Sequence, residues 1–553
     1  MSDSRSATSS SADVVLLGGV IDTLADGIGR TDALALRDGR VVAHGAAARA
    51  LADGADTVDL RGAYVMPGLI DAHNHHWLAG QTELYEFEIP PTAPLDEVLE
   101  AVSTRAASAA PGAWLVGGSW GSGLLGELDS AATLARLDAA AGGRAVMLRD
   151  DTKHNRWASP AALRAAGIDS ATADPAGGEI RRALDGTPTG VLIEAAGTLV
   201  EHALAAAQPI TDKMLAAASR RGIEILHTYG VTAFQDAAAS AALLRGLKSL
   251  DDRGELAAWV VTSMLANDFI FGVSPLGEGI ISERAAAASQ HHRPTFIKIF
   301  LDGVPPSRTA AFTQPYLPDP HGCTHCGEPT MSQDELDGWL LSTAKRGIGA
   351  KIHCTGDASV HMVLDAVGRV RAAGFTDVLY HVAHGQFVLP EDIPRFRELG
   401  VVAEISPALW FPGVIAAANE SVLPDGRGER MQPNRALLDA GATVIGGSDW
   451  PVAVSPDIWG AIYGLVTRRD PTGEFPGELW AEQAITLDEA IRAYTVDSAR
   501  ALGIDDVTGS LAVGKSADFV VLSADPHAVD IEQVPQIHAR QTWFAGEPVF
   551  TAP

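Results

Sequence analysis

The middle of this chain alternates two kinds of segment, and this alternation is the strongest constraint on its fold. From Pro67 to about residue 503, short apolar runs that end in polar residues alternate with Ala-rich segments of helical periodicity, such as LDEVLEAVSTRAASAA. Alternating strands and helices are typical of an α/β fold with a parallel sheet. Because the span of about 435 residues exceeds the roughly 250 of a minimal eight-fold barrel, we expect a (β/α)8 TIM barrel with added structure.

The added structure and the two ends of the chain complete the predicted organisation. Residues 80–225 contain the Trp- and Gly-rich run WLVGGSWGSGLL and a turn-rich run, so we place an insertion domain there. Short apolar runs separated by Gly turns occur in residues 12–66 and again in residues 504–553, and we expect them to form one composite β-sandwich. The barrel then occupies residues 67–503, and residues 1–11 are predicted to be a disordered tail.

Composition and charge disfavour several classes of protein. The 553 residues are 46% hydrophobic and 20% charged, which suits a large folded core and not a disordered chain. The net charge of -28 repels nucleic acid and anionic lipid, so neither is expected as a partner. No secretory signal is recognisable and no stretch approaches the ~18 apolar residues of a membrane span. With only three cysteines, we expect a cytoplasmic protein.

The first candidate site is the end of the apolar run LIDAHNHH. His73 and His75 are two residues apart, so on a strand both imidazoles point to the same side and can hold one ion. A polar loop at a strand end is the alternative interpretation of this pair. Its position directly after Pro-Gly and a strand favours the metal site.

The second candidate is a lysine inside the apolar run TFIKIFLDG. Phe296, Lys298 and Phe300 share one face of this strand, so the lysine has apolar neighbours. A buried ammonium without a partner loses its proton or destabilises the fold. We therefore expect Lys298 either to pair with Asp302 or to react, as a neutral amine, with carbon dioxide. The resulting carbamate can bridge two metal ions.

Three more polar residues end strand-like runs at intervals that fit a barrel. His353 and His384 are 31 residues apart, which is about one strand-helix unit, and Asp449 follows after 65, which is about two. With His75 and Lys298, these positions are assigned to strands one, four, five, six and eight. All are predicted to lie at the C-terminal ends of the strands, where barrel enzymes build their active sites.

These motifs together resemble the amidohydrolase superfamily of metal-dependent barrel hydrolases, and within it the YtcJ-like (amidohydrolase 3) group. PGLIDAHNHH is similar to the strand-one motif of that group, GGEIRRALDGTPTGVLIEAA to its insertion motif and KIFLDGVPPSRTAA to its lysine strand. HCTGD, AHGQ and GSDWPV resemble the motifs of strands five, six and eight, and GSLAVGKSADFVVLSADP the C-terminal β-signature. The resemblance covers nearly the whole chain after the tail.

The resemblance implies a metal centre and its chemistry. The implied metal shell is His73, His75, Lys298, His353, His384 and Asp449. Zinc is the implied cofactor, as one ion or two, and the binuclear site with a carboxylated Lys298 is favoured. Asp449 would also be the general base, which takes a proton from water and passes it to the leaving amine. A helix N-cap is the alternative role for Asp449.

The predicted reaction is hydrolysis of the carbon-nitrogen bond of an amide or N-formyl amide by a metal-activated water. A small molecule is the expected substrate, and a homodimer is left open as the assembly. One alternative keeps the metal site for deamination, ester hydrolysis or a lyase or decarboxylase reaction. A second alternative is a homologue that binds a ligand without turnover.

The chain departs from the pattern of that group near the expected substrate pocket. Where strand six usually carries Arg-x-Glu-His, this chain has His381, Val382, Ala383 and His384, so the ligand is present and its usual Glu neighbour is lost. Strand seven has Ser406 in place of the usual Gln. These changes indicate an unusual substrate and not a loss of catalysis.

Four residues are predicted to contact the substrate: Trp120, His154, Arg308 and Trp410. Each has a structural alternative, namely packing for the tryptophans, an ion pair for Arg308 and a hydrogen bond within the insertion for His154. The run HGCTHCGE offers Cys323 and Cys326 to a metal. Because a structural zinc needs four converging ligands, we expect a mobile rim loop there instead.

Overall fold

The structure is a computed structural model that describes residues 12–268, 270–318, 322, 324–409, 411–424 and 426–553. The predicted tail, residues 1–11, lies outside the described residues. The chain begins with five strands and a short helix: β1 (Val14–Asp22), β2 (Arg30–Arg37), β3 (Arg40–His44), α1 (Gly45–Arg49), β4 (Asp56–Asp59) and β5 (Tyr64–Pro67).

The next segment contains one strand-helix pair and then a long insertion. Its elements are β6 (Leu69–Asn74), α2 (His76–Tyr85), β7 (Phe87–Glu88), α3 (Leu95–Ser108), β8 (Leu115–Trp120), α4 (Leu125–Leu128), α5 (Ala131–Ala141), β9 (Val146–Asp150), β10 (Arg156–Ala158), α6 (Pro160–Ala165), β11 (Gly178–Arg182), β12 (Pro188–Glu194) and α7 (Ala196–Ala207).

Strands and helices then alternate to the end of the central region. The elements are α8 (Asp212–Thr228), β13 (Val231–Ala239), α9 (Ala241–Asp252), β14 (Trp259–Leu265), α10 (Glu278–Ile281), α11 (Arg284–Ala287), β15 (His292–Phe300), α12 (Gln333–Ala344), β16 (Gly349–Cys354), α13 (Asp357–Ala372), β17 (Tyr380–His384), α14 (Ile393–Leu399), β18 (Val401–Ile405), α15 (Val414–Val422), α16 (Asn434–Asp439), β19 (Thr443–Gly446), α17 (Ile458–Thr467), α18 (Leu487–Ala493) and α19 (Val496–Ala501). Three strands follow: β20 (Phe519–Leu522), β21 (Ala539–Phe544) and β22 (Glu547–Thr551).

Eight parallel strands form a nearly closed barrel in the order β19-β18-β17-β16-β15-β14-β13-β6. Beyond β19 the chain returns to β6, where the backbone N–H of Asp449 donates to the carbonyl oxygen of His73 at 2.7 Å. The TIM barrel predicted from the alternation of segments is therefore confirmed. No helix among the described residues combines the length and apolar character needed to cross a membrane.

The two faces of β15 show how the sequence places polar groups inside the barrel. Ile297 and Ile299 belong to the main apolar core that lies between the strands and the outer helices. Phe296 and Phe300 belong to other apolar clusters, and Lys298 between them lines the central cavity. Because side chains alternate along a strand, one apolar run supplies both the outer core and one charged group of the interior.

Strands from both ends of the chain form one eight-stranded sheet, in the order β22-β21-β20-β5-β1-β2-β3 with β4 beside β1. This sheet folds back on itself, since Val41 N–H donates to Lys515 C=O at 3.0 Å and Ala517 N–H donates to Gly39 C=O at 2.9 Å. Apolar side chains from both segments, including Phe519, share one core. The domain boundaries assigned from the sequence stay a prediction.

The insertion contains a six-stranded sheet of its own, in the order β11-β12-β10-β9-β8-β7. Buried ion pairs join its sheet to the segments on either side of it: Arg149 pairs with Glu86 and Glu201, and Arg156 also pairs with Glu201. The guanidinium of Arg156 donates further to the carbonyl oxygens of Lys153 and Ile270. These contacts hold the loop after β9 at the mouth of the barrel cavity.

Candidate active site and metal centre

A cavity lies at the C-terminal ends of the barrel strands. Its lining includes every residue assigned to the metal shell: His73, His75, Lys298, His353, His384 and Asp449. All six side chains are buried, with at most 7% of the residue surface exposed. The fold therefore brings together residues that are spread over 376 positions of the sequence.

The most compact group in the cavity is formed by His73, His75 and Asp449, whose potential ligand atoms all lie within 4.8 Å of one another. Nε2 of His73 and Nε2 of His75 are each 3.4 Å from Asp449 Oδ1. Within the described part of the chain, His73 Nε2 and His75 Nδ1 are buried and have no hydrogen-bond partner. An unpaired buried polar atom costs about 1–3 kcal/mol. A metal ion bound at His73 Nε2 would remove that cost for this atom, so the donor set fits a divalent cation.

Asp449 is held in place from the first barrel strand. Asp71 on β6 accepts hydrogen bonds from the backbone N–H of Ser448 at 2.9 Å and from its hydroxyl at 2.6 Å. Asp449 itself has a left-handed backbone with φ of 55°, which is uncommon for a residue other than glycine. Burial raises the pKa of Asp449, but His73 and His75 lower it more, so the net pKa lies below the usual value. The carboxylate is ionised and available as a ligand or a base.

His353 and His384 complete the far side of the site. Their ring centroids are 4.8 Å apart, and the His384 ring is 4.7 Å from that of His73. Burial, together with neighbouring positive charge, holds the pKa of both imidazoles well below the usual value. Both rings are therefore neutral, which is the form that binds metals.

Lys298 reaches the cavity as a buried amine. Among the described residues its Nζ has no hydrogen-bond acceptor or ion-pair partner, and it lies 4.6 Å from the centroid of the Phe300 ring. Burial, with a contribution from Lys351, lowers its pKa to about 8. The alternative partner, Asp302, instead accepts backbone hydrogen bonds from Ala311, Thr355 and Gly356 at 2.9–3.0 Å.

Three buried residues below the cavity were not assigned to the site from the sequence: Glu404 on β18, Lys351 on β16 and His381 on β17. The Glu404 carboxylate accepts hydrogen bonds from His73 Nδ1 and from Lys351 Nζ, and His381 Nδ1 lies 3.1 Å from its Oε2. A signal was present in the sequence, since GAKIHC and VVAEIS each carry one charge inside an apolar run.

Of the four predicted substrate contacts, His154 lines the cavity. Its Nδ1–H donates to Glu194 Oε2 at 2.7 Å. Burial lowers the pKa of His154, but the Glu194 carboxylate raises it more, so the net pKa lies above the usual value. The Glu194 carboxylate therefore favours the charged form of the His154 ring, which lies next to His353 at a centroid distance of 5.2 Å.

Two of the other predicted contacts, Trp120 and Arg308, do not line the cavity. Trp120 is fully buried in the core of the insertion, where its indole N–H donates to Leu148 C=O at 3.3 Å. Arg308 donates to the carbonyl oxygen of Leu317 and lies over the Tyr316 ring. Trp410 lies outside the described residues.

The walls of the cavity are mostly apolar. Leu78, Ile270, Phe271, Leu409, Ile415 and Val452 are among the lining side chains. Asn419, on the same helix face as Ile415, adds a polar group to this wall, and its Oδ1 is buried without a hydrogen-bond partner. A substrate with an apolar body and a hydrogen-bond donor matches these walls.

Comparison with known proteins identifies the family. The model of the amidohydrolase family matches residues 56–550. The chain belongs to this family. The resemblance inferred from the sequence motifs is thereby confirmed.

Three similar proteins show how far the likeness within the amidohydrolase family extends. The N-substituted formamide deformylase of Arthrobacter pascens is 30% identical over 516 residues, which cover 90% of each chain. The putative amidohydrolase YtcJ of Bacillus subtilis (strain 168) is 27% identical and covers 96% of this chain and 98% of its own. An uncharacterized metal-dependent hydrolase from Pyrococcus horikoshii OT3 has the same fold, with a TM-score of 0.71 at 21% identity over 94% of this chain and 99% of its own.

Proposed function

We propose that this member of the amidohydrolase family is a metal-dependent hydrolase that cleaves the carbon-nitrogen bond of an amide or N-formyl amide. The observation that carries the proposal is the convergence of six potential ligands on one cavity, with unpaired nitrogens on His73 and His75. The likeness to a formamide deformylase supports the choice of bond. A small molecule is the substrate that suits a buried cavity with apolar walls and a few converging polar groups. A cytoplasmic location and a homodimer stay predictions.

The residues that would hold zinc, as one ion or two, are His73, His75, Lys298, His353, His384 and Asp449. When bound, the metal would polarise the substrate carbonyl and lower the pKa of the attacking water towards neutrality. The three neutral imidazoles of His73, His353 and His384 suit this role because burial lowers the pKa of each.

Lys298 is proposed to be carboxylated when two ions bind. With its pKa lowered to about 8, part of the amine is neutral near pH 7. The neutral nitrogen adds to the carbon of carbon dioxide, a nitrogen-carbon bond forms, and one proton is released. The product is a carbamate anion, which would offer the metal site two oxygen ligands.

Asp449 is proposed to carry the proton. Its carboxylate is ionised and lies 3.4 Å from the two histidine nitrogens that face it, so it sits at the centre of the candidate metal shell. It would accept a proton from the attacking water and donate it to the nitrogen of the leaving amine. His154, held charged by Glu194, would donate a hydrogen bond to the substrate oxygen.

The test is product analysis on protein reconstituted with zinc in bicarbonate buffer. A panel of N-formyl amides, other amides and the matching esters, each with an apolar or aromatic group, is incubated with the enzyme. We expect release of the amine, and of formate from the N-formyl compounds, together with bound zinc in metal analysis. Release of alcohol alone, ammonia alone or carbon dioxide would contradict the assigned bond. No turnover of any class with zinc bound would favour a ligand-binding homologue.

A further inference from the structure

We propose that Glu404 is a positioning residue for the candidate metal centre, and that Lys351 keeps it in place. Glu404 would hold the His73 ring so that its Nε2 faces the cavity as a metal ligand. This inference rests on the proposed function, and it adds the residues that orient one of the ligands.

The hydrogen bonds of Glu404 leave little freedom to the His73 ring. Glu404 Oε1 accepts from His73 Nδ1, and Glu404 is 1% exposed. With the proton on Nδ1, the lone pair of the ring lies on Nε2, which is the buried atom without a partner. A carboxylate that binds the far nitrogen of a metal-ligating histidine fixes both its tautomer and its orientation.

Lys351 connects this carboxylate to the strand that carries His73. Its Nζ donates to Glu404 Oε2 and, at 2.6 Å, to the carbonyl oxygen of Ala72, the residue before His73. The lysine is fully buried. It therefore holds β6 and β18 together across the interior of the barrel, and it compensates the charge of Glu404.

His381 provides a third contact at the same level of the barrel. Its Nδ1 lies 3.1 Å from Glu404 Oε2, and its Nε2 lies 2.9 Å from the carbonyl oxygen of Ala501. Each oxygen of the carboxylate thus has a donor. Replacing a buried ion pair by apolar groups is often neutral or stabilising, so stability alone is a weak reason for this network. The geometry of the network supports a different function, which is to orient the His73 ring.

The strand register relates this network to the altered motif on strand six. In the parallel pairing of β16 with β17, Lys351 lies opposite His381, and in that of β17 with β18, Glu404 lies opposite Ala383. Side chains at paired positions face the same side of a sheet. The cation and the carboxylate of an Arg-x-Glu-His pattern would stand at positions 381 and 383. In this chain the cation is Lys351, paired with position 381 from β16, and the carboxylate is Glu404, paired with position 383 from β18.

The experiment measures metal binding to the full-length protein, because a purely structural pair would not change it. The variants are Glu404→Met combined with Lys351→Met, which removes both charges together, and Glu404→Gln, whose carbonyl still accepts from His73 Nδ1. The probes are zinc, in competition with a chromophoric chelator, and cobalt, whose visible spectrum reports ligand geometry. All buffers contain bicarbonate. Asp518→Asn is the matched control, because Asp518 is a buried carboxylate bound to Trp259 and Ser516 outside the site.

We expect the double variant to bind zinc about 10–100-fold more weakly than the wild type, with an altered cobalt spectrum. Glu404→Gln and Asp518→Asn should stay within about threefold of the wild type. Wild-type affinity and spectrum in the folded double variant would overturn the inference and leave the proposed function standing. A wild type that binds neither metal would overturn both.

A second pair of variants decides the question if the double variant does not fold. Glu404→Ala removes the carboxylate. The combined variant Glu404→Ala with Ala383→Glu puts a carboxylate back at the paired position on the neighbouring strand β17. We expect the added Ala383→Glu to recover at least part of the zinc affinity lost in Glu404→Ala. Equal affinities of these two variants for zinc would contradict the positioning role.

Discussion

The backbone N–H of Asp449 donates a hydrogen bond to the carbonyl oxygen of His73 at 2.7 Å. This bond joins the segment after the last barrel strand to the first strand, where the barrel closes. It also places the candidate base directly beside the candidate His-x-His ligands, so the same contact that completes the fold assembles the site.

Asp449→Asn tests the assignment of the general base. The amide cannot take a proton from water, whereas the histidines that hold the metal are unchanged. We expect kcat to fall by at least about 100-fold, the lower range for a general acid-base group, while much of the zinc stays bound. Steady-state kinetics and metal analysis of the same preparation measure both effects. Near-normal turnover would remove Asp449 from the mechanism.

Lys298→Ala tests the proposed carbamate. We expect the variant to bind one zinc fewer than the wild type and to recover part of its activity with a short carboxylic acid that fills the vacant position. Wild-type apo protein should regain activity slowly with zinc in carbon-dioxide-depleted buffer and faster when bicarbonate is added. The lysine would instead be structural if Lys298→Met were active and bicarbonate did not change the rate at which the wild type regains activity.

Asn419→Leu tests recognition of a hydrogen-bond donor on the substrate. Removing one hydrogen bond costs about 0.5–1.5 kcal/mol, so kcat/KM for a secondary amide should fall about 2–12-fold. The N-methylated analogue, which lacks the N–H, should be unaffected. Asn434→Leu is the control, because the Asn434 amide is also buried and unpaired but does not line the cavity. An equal loss of kcat/KM for the secondary amide and its N-methylated analogue would mean that Asn419 contributes only to the packing of the cavity wall.

The free energy of unfolding of the metal-free protein should fall as the pH is lowered from 7.5 to 6. Burial lowers the pKa of six histidines in the folded protein: His73, His227, His292, His353, His381 and His384. In this window the unfolded chain therefore binds more protons than the folded one, and stability rises with pH.

Opposite contributions come from three groups whose folded pKa is raised: His154, Asp151, whose pKa burial raises to about 7, and Asp302, whose pKa burial raises to about 6. The six histidines outnumber them, and replacement of His154 provides a control on the sign. His154→Gln should make the pH dependence steeper. Urea unfolding of EDTA-treated protein at four pH values measures the slope. A free energy of unfolding that is constant or rises towards pH 6 would contradict the prediction.

The barrel and the six candidate ligands followed from local patterns. Residues such as Lys298 and His353 are conspicuous because each interrupts or ends an apolar run, and a buried polar group in such a place needs a partner. Their spacing matched the length of a strand-helix unit, which is set by the geometry of the barrel.

The substrate contacts were harder to predict because they depend on how the insertion packs. Trp120 was predicted to contact the substrate, but its side chain fills the core of the insertion sheet. Burial of a large aromatic side chain is strongly favourable, and composition does not tell which core it joins. His154 reaches the cavity because Arg156 anchors its loop to Ile270 and Lys153.

The sequence by itself therefore determined the type of fold, the order of the strands along the chain and the chemical identity of the candidate ligands, because these depend on local periodicity and on residue type. Only the tertiary structure decided which groups touch. Glu404 and His73 are 331 residues apart, and their contact depends on the register of β18 and on the closure of the barrel. A one-dimensional pattern contains neither, since hydrogen bonds across the barrel form only when all eight strands are in place.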